Sequence, residues 1–207
     1  MAFVKHKDTE MVEQEDRKLA RQCPDLLLSL ADPNATTRRW AARDLVNCPG
    51  AAAALVAQLK LEPELSVREV ILTTLTRLGD ATAVAGLVDC LRSDDAALRN
   101  EAIEAMKQLP DEVAPIMHGL LTDTDPDVRI FSVNVLESLR HPDVELWLIE
   151  VITQDAHVNV CATAVDLLSE VGSAAALAPL QQLKARFEDE PYMQFAANLA
   201  LRRIAGN

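Results

Sequence analysis

Apolar residues along this chain return in steps of three and four, in blocks that repeat about every thirty residues. The blocks register on a recurring arginine, Arg38, Arg68, Arg99 and Arg129, whose slot falls next on Cys161 and Gln194, at intervals of 30, 31, 30, 32 and 33 residues. Three residues after the slot stand Ala41, Ile71, Ala102, Ser132 and Ala164. Seven after it stand Leu45, Leu75, Met106, Leu136 and Leu168, and ten after it Cys48, Leu78, Leu109, Leu139 and Val171. Such steps keep one helical face inward, and the small residues among them let neighbouring helices approach closely. A period of this length marks a helical solenoid, whose units bury a face only by stacking.

Each unit reads as two antiparallel helices, A then B. In the third, Ala83 to Arg92 is helix A, Ser93 to Ala96 the turn, and Ala97 to Leu109 helix B. Asp125-Pro126 supplies an N-cap followed by a proline at the first helical position, where its missing N–H costs nothing. Asp32-Pro33, Glu64, Asp95 and Asn159 mark the corresponding turns. Cys48-Pro49-Gly50, Leu78-Gly79-Asp80, Leu109-Pro110-Asp111, His141-Pro142 and Val171-Gly172 divide one unit from the next. The predicted units are about 23–49, 50–79, 80–110, 111–141, 142–172 and 173–207, forming a single repeat domain. Residues 1–22 stand outside the period as a charged leader or capping helix.

The recurring arginine falls in the first turn of helix B, near acidic residues of its own and the neighbouring loop. It therefore predicts a ladder of carboxylate–guanidinium contacts that fixes the register between units. Because Cys161 and Gln194 break the pattern, the ladder is expected to end after the fourth unit.

Composition agrees with an all-α chain: 49% hydrophobic residues with only 3% aromatics suits close helix packing rather than a sheet core. The net charge of −12 is uneven. Residues 1–50 hold eight basic and eight acidic residues, whereas residues 111–170 hold Arg129 and Arg140 against twelve carboxylates. Such a surface repels phosphate backbones and anionic membranes, so neither nucleic acid nor membrane is an expected partner. The four cysteines, Cys23, Cys48, Cys90 and Cys161, are far apart, with no C-x-x-C pair and no histidines at zinc spacing. The expectation is reduced thiols in the cytoplasm, with Cys48 and Cys90 as core residues. Cys161, in a first helical turn, reads either as a thiol of lowered pKa or as an inert core or loop thiol. No apolar run approaches the roughly 20 residues that span a bilayer.

The segments from Asp32 to Leu45, Arg77 to Leu87 and Asp123 to Arg129 resemble HEAT repeats, and more narrowly the short variety named after phycobilisome lyases. The resemblance runs over about residues 23–207. With the periodicity it leads to an all-α expectation, an α-solenoid coiled as a right-handed superhelix of about six HEAT-like antiparallel helix pairs. It implies a scaffold or regulatory subunit more than any one reaction.

The function expected is a non-enzymatic protein–protein interaction module, an adaptor or scaffold in a cytoplasmic multiprotein assembly. One and two residues after the arginine slot, helix B should face outward, yet Trp40, Val70, Ile130 and Phe131 stand there beside Arg39, Glu69 and Glu101. An extended apolar row marks a partner site. Alternatively, these side chains pack against adjacent B helices. The acidic stretch from Asp111 to Glu170 suits a partner with a basic segment, and the choice between monomer and dimer stays open. The alternative class is a bilin lyase-like enzyme, or an accessory subunit for attaching a cofactor to another protein, which the resemblance alone implies. His6, His118, His141 and His157 have no adjacent Glu to form an iron site, and Asp123, Asp125 and Asp127 lack the glycine and terminal Glu of a calcium loop. No catalytic residue, metal or cofactor is expected.

Overall fold

The computed structural model describes residues 22–206, so the leader expected over residues 1–22 lies, except for Gln22, outside the described residues. Among those residues the secondary structure is twelve α-helices and two short 3-10 turns, with no strand. The A–B pairs are α1 (Cys23–Ser29) with α2 (Ala35–Asp44), α3 (Ala52–Leu59) with α4 (Leu65–Leu78), and α5 (Ala81–Cys90) with α6 (Ala96–Met106). They continue with α7 (Pro110–Leu121) and α8 (Pro126–Leu136), α9 (Val144–Gln154) and α10 (Val158–Val171), and α11 (Leu177–Arg186) and α12 (Pro191–Ala205). The fold is an all-α solenoid of paired helices. The chain forms two compact units, one ending at Thr74 and one beginning at Leu75, a boundary inside α4.

The inward rows follow from the periodicity. The residues three after the slot, from Ala41 to Ala164, and seven after it, from Leu45 to Leu168, are all completely or almost completely buried. Each large aliphatic side chain among them contributes about 1.5–3 kcal/mol by leaving water. Ser132 is buried too, its hydroxyl donating to the Val128 carbonyl at 2.7 Å. The third row holds at Cys48, Leu109 and Leu139 but fails at Leu78, half-buried, and at Val171, which is 46% exposed. Val171 is the last residue of α10. The helix stops there because the backbone turns extended at Gly172 (φ −70°, ψ 145°), where a Cβ would collide with the Leu168 carbonyl and the Ile204 side chain. In the third pair both helices start earlier than the sequence suggests. The Asp80 carboxylate caps α5 by accepting the Ala83 N–H at 2.8 Å, and Asp95 caps α6 through the Ala97 N–H at 2.9 Å. Gly79, at φ +56°, closes α4 in a backbone region that favours glycine.

Unit one differs from expectation in its cysteines. Cys23, the first residue of α1, and Cys48 form a disulfide with their Cα atoms 5.6 Å apart, so the expectation of four reduced thiols is corrected. The physical reason lies in α1. It has only seven residues and exposes Leu28 to 77%, so its apolar contacts alone hold it weakly. Closing a loop over 25 residues reduces the entropy of the unfolded chain by the equivalent of about 3 kcal/mol. Cys90 and Cys161 remain thiols, and both are buried.

The A–B turns share one hydrogen-bonding scheme. Asp32, Glu62, Asp123 and Asp155 each accept the backbone N–H two residues on, at 2.7, 3.1, 2.9 and 2.8 Å, and the Ser93 hydroxyl does the same at 3.2 Å. Six residues later the slot side chain returns to the same turn. Arg38, Arg99 and Arg129 donate through Nη1 to the carbonyls of Asp32, Ser93 and Asp123, at 2.9, 2.6 and 2.8 Å. Cys161 makes the equivalent contact with the Asp155 carbonyl through Sγ at 3.2 Å.

Arginines also tie one turn to the next. In unit one, Arg38 grips Glu62 with Nε and Nη2 at 2.8 and 2.6 Å. In unit two, Arg92 at the end of α5 pairs with Asp123, and Arg129 grips Asp155 at 2.6 and 3.1 Å. Among the described residues the carboxylate–guanidinium ladder has its last rung at Arg129–Asp155, as expected, and backbone carbonyls take the place of carboxylates beyond it. Arg186, from α11, reaches back to the carbonyls of Ile152, Thr153 and Asp155 at 2.9, 2.7 and 2.8 Å, and to Cys161 Sγ at 3.3 Å. Gln194 takes the last slot, donating to the carbonyls of Lys184 and Phe187 at 2.8 and 2.9 Å.

Candidate functional site

Because the turns set the rotation of every B helix, the residues just after the slot are presented on its outer side. On α2, Arg39 is exposed and Trp40 half-buried. On α4, Glu69 is exposed and Val70 half-buried. All four belong to unit one. In unit two, Glu101 on α6 and Ile130 and Phe131 on α8 are half-buried. The apolar members thus lie partly against their surroundings, with one side in water.

The two rings of this row are each covered by a guanidinium. Arg43 lies over Trp40 at 4.1 Å and Arg99 over Phe131 at 5.3 Å. Arg99 is held by its bond to the Ser93 carbonyl, so one arginine both closes a turn and positions a ring on the next B helix. Cation–π contacts of this kind contribute about 0.5–1 kcal/mol at exposed sites.

Beyond Phe131, the outer side of the B helices in unit two is acidic. A cleft of about 250 Å³ lies between α8 and α10, lined by Val133, Asn134, Glu137, Thr163, Asp166, Leu167 and Glu170. Lys107 sits at its edge, bonded to Glu104 and Glu137, both at 2.9 Å. Burial works against its charge, but the two carboxylates outweigh that and raise its pKa. Tyr192 donates its hydroxyl to Asp166 at 2.9 Å, and this bond raises the phenol pKa. Glu170 is exposed, with its charge open to a partner.

Two residues that the sequence reading passed over share this side. Phe195 is 62% exposed and Tyr192 56% exposed, both on α12. Phe195 stands one position after the slot, the register of Ile130. It was legible there, but the outward row was read only where the slot holds arginine.

A second cleft, of about 290 Å³, lies at the turn side of α7 to α9, lined by residues including His118, Asp123, Arg129, Trp147, Glu150 and Asp155. Its charged groups are already engaged: Asp123 by Arg92, and Arg129 with Asp155. His118 is 3.9 Å from Glu150, and Trp147 is stacked on His141 at 4.8 Å. Among the described residues no three His, Cys, Asp or Glu side chains converge as metal ligands would. Cys161 is not an activated thiol. Burial pushes its pKa up to about 11, with Arg186 opposing only in part. Its burial fits an inert core thiol.

A charged pair in unit one is buried. Arg38 and Glu62 are 8% and 5% exposed. The Arg38 bond holds the Glu62 carboxyl below the usual carboxylate range, outweighing burial, and the same bond raises the Arg38 pKa.

The sequence profile for HEAT repeats matches residues 24–112 and 113–204. No curated protein matches the chain. Among solved structures, an engineered protein is 21% identical over 90% of this chain and 97% of its own, with a TM-score of 0.42. A designed armadillo repeat protein is 17% identical over 88% of this chain and 100% of its own, with a TM-score of 0.43. The complex of CpcE and CpcF of phycocyanin lyase from Nostoc sp. PCC7120 is 17% identical over 87% and 94%, with a TM-score of 0.36. No helix of the described residues is long and apolar enough to cross a membrane.

A carboxyl whose pKa is depressed on folding stabilises the fold above its unfolded value, and that contribution is lost as pH falls through the folded value. Urea midpoints measured from neutral pH into the acid range should therefore fall less steeply in Glu62→Gln than in the parent chain. Parallel acid limbs would contradict the assigned pairing.

Proposed function

The chain belongs to the HEAT-repeat family, and from that premise we propose that it works as a non-enzymatic adaptor or scaffold within a cytoplasmic multiprotein assembly. It would bind by shape and surface chemistry, making and breaking no bond. The observation that carries this reading is the outer side of the B helices, where half-buried apolar side chains alternate with charged ones: Arg39, Trp40, Glu69 and Val70 in unit one, and Glu101, Ile130 and Phe131 in unit two. Interface anchors have this character, aromatic and partly desolvated before the partner arrives, with a polar rim. We take residues 23–207 to act as one repeat domain.

The partner proposed is a protein with a basic segment. Supporting this, the cleft between α8 and α10 is lined by Glu137, Asp166 and Glu170. Lys107 shows how a cation fits beside this row, an ammonium group between two carboxylates. A lysine or arginine from a partner would find an exposed carboxylate farther along, at Glu170. Attraction of this kind speeds encounter and weakens with salt.

The cytoplasm is the compartment proposed, and it places a condition on the Cys23–Cys48 bridge, because glutathione keeps most cytosolic thiols reduced. If the protein resides there, alkylation in intact cells before lysis traps these two cysteines as thiols, and the bridge of the structure forms only outside reducing conditions. A fully oxidised pair would instead put the protein in an oxidising compartment.

Phe131→Ala and Trp40→Ala should each weaken partner capture by about tenfold or more while far-UV dichroism stays unchanged, consistent with an anchor contribution above about 1 kcal/mol. Raising the salt concentration should weaken the same complex. Loss of helicity with intact binding would refute the apolar row, and salt-independent binding would refute the basic segment.

A further inference from the structure

Helix α12 carries an exposed stripe whose pattern is complementary to itself. Tyr192 and Phe195 are largely exposed, and Leu199 and Arg202 continue the line at helical spacing, half-buried and exposed respectively. The buried side of the same helix is formed by Met193, Ala196, Ala197, Ala200 and Ile204, so the stripe lies opposite the core. Just before the helix stand Glu188, Asp189 and Glu190, all exposed, and its last turn carries Arg202 and Arg203, also exposed. The helix is therefore acidic at one end, apolar in the middle and basic at the other.

We propose that this face of α12 docks on the same face of a second copy of the chain, with the two helices antiparallel about a two-fold axis. A two-fold contact requires that residue i meet j while j meets i. A two-fold axis passing beside the helix, level with the midpoint between Phe195 and Ala196, meets that requirement. Tyr192 then opposes Leu199 of the second copy, and the acidic turn of Glu188 and Asp189 comes against the basic last turn of Arg202 and Arg203, each contact occurring twice. The Phe195 rings meet near the axis. Antiparallel helices also oppose their macrodipoles favourably.

The intramolecular contacts leave this geometry free. Among the described residues, Arg202 Nε donates to the Asn198 carbonyl at 3.3 Å and Arg203 to the Ser169 hydroxyl at 3.1 Å, neither of them a carboxylate. The Tyr192 hydroxyl is anchored on Asp166, which holds its ring in place at the edge of the stripe. A contact between two helices buries less than a standard interface of about 1,600 Å², so the dimer is weak and depends on concentration.

Sedimentation equilibrium of the full chain, from low micromolar to near-millimolar concentration, tests this. The weight-average mass should rise from one chain toward two. Arg202→Glu/Arg203→Glu makes both ends acidic, and Glu188→Lys/Asp189→Lys makes both ends basic. Each variant alone should associate about tenfold more weakly. An equimolar mixture should recover the association, because every opposed pair is then complementary again. Phe195→Ser should remove it. A parent chain that stays monomeric, a mixture that fails to recover, or association indifferent to Phe195→Ser would each overturn the proposal. A different protein shielding Phe195 in place of the second copy would overturn it as well.

Discussion

A guanidinium held between two turns organises this protein. At Arg38 and Arg129 one side chain caps a carbonyl of its own A–B turn and grips the carboxylate of the following turn, and that carboxylate already folds its own backbone. Three groups of bonds thus share one pair of residues. Exposed ion pairs contribute little to stability. These are partly or fully removed from water, and they bond to backbone groups that would otherwise lie unsatisfied at helix ends. Their effect is positional. They set the rotation at which each B helix leaves its turn, which decides what points outward.

That rotation produces the surface on which the functional reading rests. The inner rows need only small and aliphatic residues at fixed spacing, and burial there stabilises the pairs without specifying a partner. The outer rows are free to vary, and they vary in a directed way. Rings stand under arginines at Trp40 and Phe131, and carboxylates gather along α8 and α10. The turn-side cleft, by contrast, holds charged groups that are already satisfied by one another. Its polarity serves the turns.

Much of the fold was legible from spacing alone, because burial at every third and fourth position leaves a clear trace. The rows at Ala41 and Leu45 and their equivalents were found that way. Helix ends were less legible. They depend on which of several nearby polar side chains reaches a backbone N–H, as at Asp80. The bridge between Cys23 and Cys48 left no local motif, since it joins segments brought together by the turn. Arg186 was missed for a similar reason. It replaces the missing slot arginine from a different helix, so the role persists while the position changes. Of the candidate site, the row from Arg39 to Phe131 was readable as a register, but its half-burial depended on neighbours outside that register. Phe195 lay in the same register and was overlooked because the outward row was followed only beside slots that hold arginine.

The central claim is that the guanidinium ladder is energetically coupled across turns. A double-mutant cycle on Arg129 and Asp155, using Arg129→Met and Asp155→Asn with urea unfolding as the readout, measures that coupling directly. The account predicts a coupling of about 1.5–3 kcal/mol, as for charged hydrogen bonds shielded from solvent. A value near zero, as for an exposed surface pair, would mean that the ladder merely follows the packing of the helices, and the account would fail.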